Sequence, residues 1–240
     1  MAGNKRTVIL TGASRGIGKA IALALAAEGY NLALCARSAD KLEETAKQCL
    51  EKGIEVLVIP ADLTKPEVPG EVIEKTVKHF GHVDVLINNA GYAKSAALDD
   101  VTLDDWNMMM DLNARAPFLL AKHTVPFLKK SKDGVIINIS SVVGRKGYPN
   151  QLAYSASKHA LTGLTRVLGR ELQQEGIRVH LISPGGVSTD MIHMARPDLD
   201  PYELIQPEEI ADLVVFILNS GSKGLVDEFN VRRRNSMPFD

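Results

Sequence analysis

Thr7-Val8-Ile9-Leu10-Thr11-Gly12-Ala13-Ser14-Arg15-Gly16-Ile17-Gly18 is a short apolar run that ends in a glycine-rich turn. An amphipathic helix follows, carrying Ile21 and Leu25 among its apolar positions, and stops at Gly29. Strand, turn and helix in that order open a βαβ unit. Glycines there let the backbone turn sharply and let a pyrophosphate approach the positive end of the helix. The spacing is Gly-x-x-x-Gly-x-Gly rather than Gly-x-Gly-x-x-Gly. A tight turn before a helix, with no ligand, is the competing reading.

Outward from that turn the alternation continues. Apolar runs at 31–36, 54–59, 83–87, 134–139, 177–182 and 224–231 read as further strands. Helical stretches lie between them, one over 40–52 with Gly53 as its stop, one opening with Thr102 as cap and one opening at Pro207-Glu208-Glu209. Strands alternating with helices along residues 1–240 predict one α/β domain built on a doubly wound parallel sheet of about seven strands. Such sheets bind ligands outside the carboxyl ends of their strands.

The residues at those ends are therefore the candidates. An acidic residue after the second strand would bind ribose hydroxyls. This chain has Arg37-Ser38 instead, and Arg37 with Arg15 suits a 2′-phosphate, two surface arginines being the plain alternative. Asp62, followed by Leu63, can accept a hydrogen bond from an adenine amino group or cap the next helix. Asn88-Asn89-Ala90-Gly91 suits a backbone passing close beneath a ribose. Pro117 has no N–H for the carbonyl of Asn113, which predicts a kink and a main-chain oxygen free to hold a water. Ser140 and Ser141 follow the fifth strand. Tyr154 and Lys158 stand four apart, one turn above each other on a helix. The Lys158 charge favours phenolate, so a Tyr154 pKa below the solution value is expected.

Thr11-Gly12-x-x-x-Gly16-x-Gly18, Asp62, Asn88-Asn89-Ala90-Gly91, Asn113, Ser141, Tyr154-x-x-x-Lys158 and Pro184-Gly185-x-Val187-x-Thr189 occur here in one order and spacing. With these the chain resembles the short-chain dehydrogenase/reductase family over nearly its whole length. The resemblance implies a Rossmann-type fold and an oxidoreductase moving hydride between a nicotinamide and a carbonyl or secondary alcohol. It implies Tyr154 as general acid/base and Lys158 as the residue that tunes it and binds the nicotinamide ribose. Ser141 would hydrogen-bond the substrate oxygen, and Asn113 would help hold a relay water. The candidate cofactor set is Gly12, Ser14, Arg15, Gly16, Ile17, Gly18, Arg37, Asp62, Leu63, Asn89, Ala90, Gly91, Tyr154, Lys158, Pro184, Gly185, Val187 and Thr189. Both arginines match members of the family that prefer NADP(H). The core resembles 3-oxoacyl-acyl-carrier-protein reductases, which suggests a carrier-linked substrate. The ending Val226-Asp227-Glu228-Phe229-Asn230-Val231 followed by three arginines departs from their pattern.

Bulk properties narrow the partners. The 240 residues are 45% hydrophobic with a formal net charge of −1, giving no electrostatic case for nucleic acid or an anionic membrane. No membrane-length apolar run, signal peptide or metal-ligand cluster is read in the sequence, and Cys35 and Cys49 look like buried, reduced thiols. A cytoplasmic protein is expected. The leucines at 161, 164, 168 and 172 form a stripe, and with the apolar stretch 118–128 they suggest a homodimer or homotetramer. Residues 187–206 are a candidate lid, and Arg232-Arg233-Arg234 a solvated tail or a contact for an acidic carrier. A dehydrogenase of another small hydroxy compound and a non-catalytic NADP(H)-binding regulator are the alternatives.

Overall fold

The computed structural model describes residues 5–195, 200–221 and 223–238. Seven strands form one parallel sheet: β1 (Thr7–Thr11), β2 (Asn31–Ala36), β3 (Val56–Pro60), β4 (Val85–Asn88), β5 (Val135–Ile139), β6 (Arg178–Pro184) and β7 (Glu228–Val231). Their order across the sheet is β3-β2-β1-β4-β5-β6-β7. The helices are α1 (Gly16–Ala27), α2 (Ala39–Leu50), α3 (Val68–Phe80), α4 (Leu103–Met110), α5 (Ala116–Leu128), α6 (Leu152–Leu172), α7 (Asp190–Ala195) and α8 (Pro207–Asn219).

The central strands β1, β2, β4 and β5 are buried along their whole length, so both faces must be apolar. Alternate residues divide between two cores. Val8, Leu10, Leu32 and Leu34 pack with α1, α2 and α8, while Ile9, Ala33 and Leu86 pack with α3, α5 and α6 on the other face. Local signals agree with this packing. Thr102 Oγ1 accepts the Asp105 amide at 3.1 Å as the cap of α4, and a reciprocal capping box joins Gln206 and Glu209 at the start of α8.

The structure corrects several expectations. The last strand covers only Glu228–Val231, because 224–227 makes no ladder at this sheet edge. Leu161 and Leu172 are buried in the chain and Leu168 packs against its core, while Leu164 is half-buried, so most of the leucine stripe is covered by the chain itself. Within the expected lid stand α7 and a turn at Pro201–Glu203, and Ser188 and Ile205 pair through a 2.8 Å backbone bond. Residues 196–199 of it lie outside the described residues. Arg232 and Arg234 of the arginine tail are exposed as expected, and Arg232 with the half-buried Arg233 also lines a cavity described below.

Candidate active site

From β1 the chain moves to one side through β2 and β3, then returns to pair β4 with the other side of β1. The loops leaving β1 and β4 diverge there and open a crevice at the carboxyl ends of the strands. Thr11 and Asn89 stitch its floor. Thr11 Oγ1 accepts the amides of Asn89 and Ala90 at 3.0 and 3.1 Å, and Asn89 Nδ2 donates to the carbonyls of Thr11 and Gly12 at 2.9 and 3.2 Å. The Asn89 side-chain amide is thus occupied in joining the two loops.

That close joining explains two of the glycines. A Cβ on Gly18 would stand 2.1 Å from the Gly12 carbonyl oxygen and 2.5 Å from Asn89 Nδ2. Gly12 has φ 69° and a Cβ there would meet the Ala90 backbone at 2.9 Å. Packing of the turn therefore demands these glycines, in addition to any approach by a ligand. Above the turn, α1 begins with no side-chain cap and no acidic residue in its first turn. Its positive end is left for an anion, and this fits a pyrophosphate.

Two cavities open from the crevice. The first, about 380 Å³, is lined by Gly12, Ser14, Arg15, Gly16, Ile17 and Gly18, by Arg37, Ser38 and Lys41, by Leu63, and by Asn89, Ala90 and Gly91. The second, about 700 Å³, is lined by Ser141, Val142, Gln151, Pro184, Gly185, Val187 and the segment from Arg232 to Pro238. Ile17, Ser140, Tyr154, Thr189 and Met191 line both, and Lys158 lines the first. The structure therefore brings nearly all the candidates together. Asp62 and Asn113 line neither cavity; Asp62 Oδ1 accepts the Thr64 hydroxyl at 2.8 Å and the Thr64 amide at 3.1 Å, which forms a turn beside the cleft. The Thr64 hydroxyl is also the main cause holding the Asp62 carboxyl below its ordinary range, with Arg37 and Lys65 adding to it. Arg15 is paired with Asp190 at 2.9 Å.

Tyr154 and Lys158 sit on α6, and Ser141 directly follows β5. Ser141 hydrogen-bonds the Tyr154 side chain, and Lys158 Nζ lies 6.0 Å from the Tyr154 ring centre. Lys158 is only 4% exposed, and its ammonium donates to the Ile139 carbonyl at 2.9 Å. The expected lowering of the Tyr154 pKa is not found. Burial raises it, partly opposed by the Ser141 hydrogen bond, and the Lys158 charge is not among the causes. Burial instead depresses Lys158 itself to about 8. Desolvation outweighs the pairing that the four-residue spacing suggests.

Asn113 lies in a π-helical segment, Asp111–Arg115, between α4 and α5. The i→i+4 ladder gives way to i→i+5 there, and the segment ends at Arg115, two residues before Pro117. Its side chain is fully occupied: Oδ1 accepts the Tyr92 amide at 2.9 Å, and Nδ2 donates to the Tyr92 carbonyl at 2.8 Å and Ser157 Oγ at 3.0 Å. It ties the loop after β4 to the helix of Tyr154 and Lys158.

Sequence reasoning missed several lining residues, among them Ser140, Gln151, Lys41, Lys94 and Arg145. Ser140 was visible as a strand-end residue. Its buried Oγ lies 3.2 Å from Thr162 Oγ1 and holds β5 against α6. The others carry no short-range signal.

Residues 6–200 match the short chain dehydrogenase family. A 3-oxoacyl-[acyl-carrier-protein] reductase of Staphylococcus epidermidis is 37% identical over 227 residues, 91% of this chain and 93% of that protein. The structure of an alcohol dehydrogenase from Thermococcus sibiricus, complexed with 5-hydroxy-NADP, superposes with a TM-score of 0.90 at 31% identity, covering 98% and 99% of the two chains. That of a carveol dehydrogenase from Mycobacterium avium in complex with NAD has a TM-score of 0.86 at 25% identity, covering 95% of each chain. The fold, the crevice and these likenesses agree: the chain belongs to the short-chain dehydrogenase/reductase family of oxidoreductases. Among the described residues, no helix is long and apolar enough to cross a membrane.

Proposed function

We propose that the protein is an NADPH-dependent carbonyl reductase, with 3-oxoacyl thioesters as its leading substrate class. The observation carrying this reading is that Tyr154 lines both cavities, with Lys158 behind it and Ser141 bonded to it. The residues lining the smaller cavity would hold a nicotinamide cofactor, which would supply or accept the hydride. The protein's part is to hold and move one proton. Ser141 orients the substrate oxygen, and Tyr154 gives its proton to that oxygen as negative charge develops. Because burial raises the Tyr154 pKa, the phenol is protonated at neutral pH, which is the form a reductase needs. Lys158, protonated below about 8 and 6.0 Å from the Tyr154 ring centre, is placed to return a proton to the phenolate that remains. The Asn113 carbonyl, in the π segment, would hold the water through which Lys158 recovers a proton.

The relatives' names favour both directions of reaction, since one is a reductase and two are dehydrogenases. NADPH consumption with a short-chain 3-oxoacyl thioester decides between them. Turnover supports the reductase; tight NADPH binding without turnover moves the substrate to small hydroxy compounds.

NADPH rather than NADH is favoured by charge. Arg37, Ser38 and Lys41 line the far end of the smaller cavity, where an acid would serve NADH. Arg37→Glu is expected to reduce the NADPH-over-NADH ratio of kcat/KM by about a hundredfold, the loss of a charge-assisted phosphate contact plus a repulsion. A ratio unchanged by the substitution removes Arg37 from cofactor choice.

We also propose a homodimer or homotetramer, on a narrower basis than the leucines. Phe118 on α5 and Val167 on α6 are 47% and 53% exposed. Light scattering at micromolar concentration should return a multiple of the chain mass; a monomer refutes this.

A further inference from the structure

The larger cavity has a wall that the site's chemistry does not use. After β7 the chain turns back over the opening, and Arg232, Arg233, Ser236, Met237 and Pro238 face the same space as Tyr154 and Ser141. Three features hold this segment in place. The Gly185 amide donates to the Val231 carbonyl at 2.7 Å, and a Cβ at Gly185 would touch Val231 O at 3.4 Å and Arg233 N at 3.6 Å, so the segment lies against the loop after β6. The Arg232 guanidinium folds onto its own segment, with Nη1 within 3.1, 3.0 and 2.9 Å of the carbonyls of Arg233, Arg234 and Ser236. The Arg233 guanidinium reaches Glu203 in the lid region at 3.9 Å and is 22% exposed.

We propose that residues 232–238 are a specificity-determining wall of the substrate cavity, pinned by Arg232 and braced on the lid by Arg233 and Glu203, which sets how long a chain on the carbonyl substrate can enter. A segment with one charged side chain spent on three of its own carbonyls is built to keep a shape. Substrate length is the property such a shape controls, because the wall lines the same cavity as the reacting groups. The substrate half of this statement rests on the reductase reading; the wall does not.

The test removes the segment without touching the sheet. β7 remains anchored by Glu228, which bonds Arg145 at 3.0 Å and Arg166 at 2.6 Å, so a chain ending at Val231 keeps its last strand. Val142→Cys places a thiol on the cavity, while Cys35 and Cys49 are buried with thiols pushed up to about 12 and about 11. A bulky maleimide should label the Val142→Cys chain about tenfold faster when residues 232–240 are absent. In the otherwise native enzyme the same truncation should raise kcat/KM for long-chain relative to short-chain 3-oxoacyl thioesters by about tenfold. Faster labelling without turnover in any form upholds the wall and refutes the reductase reading. Equal labelling rates, or an unchanged ratio in an active enzyme, overturn the proposal. If the truncated chain fails to fold, Arg232→Ala carries the decision: labelling accelerates in the same direction, and an unchanged rate overturns it.

Discussion

Tyr154→Phe is expected to lower turnover by about three orders of magnitude while leaving NADPH affinity within a few-fold of the native protein. The substitution deletes one oxygen and keeps the ring that fills the junction of the two cavities. Without the hydroxyl, Ser141 can still orient the substrate oxygen, but the charge developing there meets no proton donor. Fluorescence titration with NADPH and steady-state consumption with the thioester check the two halves separately. Retention of more than about a tenth of native turnover would place the proton donor elsewhere. A large loss of NADPH affinity would mean the hydroxyl holds the cofactor, and the turnover result would then lose its meaning.

The parts of this site legible in the sequence share one property: they are fixed by local chain chemistry or by strand ends. The turn from Gly12 to Gly18 announces itself because backbone crowding admits nothing larger, a 2.1 Å approach being impossible for any Cβ. Strand ends face the crevice by topology alone, so Asn89, Ser141 and Thr189 could be placed before any coordinates. Pro117 foretold a broken helix ladder, and a π segment stands just before it. What failed depended on distance in three dimensions. The Tyr154 pKa was read from a spacing of four, yet its sign is set by how much water reaches the phenol. The tail was read as solvated from its charge, and nothing local reveals that Arg232 finds its partners among its own carbonyls. The leucines of α6 were assigned outward because helical periodicity defines a face without saying what covers it.

Lys158→Met should cost activity heavily and stability little, with the evidence in how stability changes with pH. Turnover is expected to fall at least about a hundredfold, since the group that returns a proton to Tyr154 is gone. Stability has two opposing parts at pH 7. Removing an ammonium whose pKa burial has depressed from 10.5 to about 8 relieves a penalty of about 3 kcal/mol. Losing its hydrogen bond to the Ile139 carbonyl costs back about 1.5–3 kcal/mol. The two nearly cancel. They separate at higher pH. Below pH 8 the lysine is protonated folded or unfolded, so the penalty is fully present. Between about 8 and 10.5 the unfolded chain still binds a proton that the folded chain has released, so native stability rises with pH across that window. Methionine has no such proton. The native protein should therefore gain on Lys158→Met by up to about 3 kcal/mol between pH 8 and 10.5, other titrations cancelling in the difference. Denaturant melts of both proteins at pH 7, 8, 9 and 10 measure it. Parallel curves would mean that Lys158 keeps an ordinary pKa in the folded chain. The ammonium would then already be adequately solvated, and its burial could not be what makes it a ready proton donor to the relay near neutral pH.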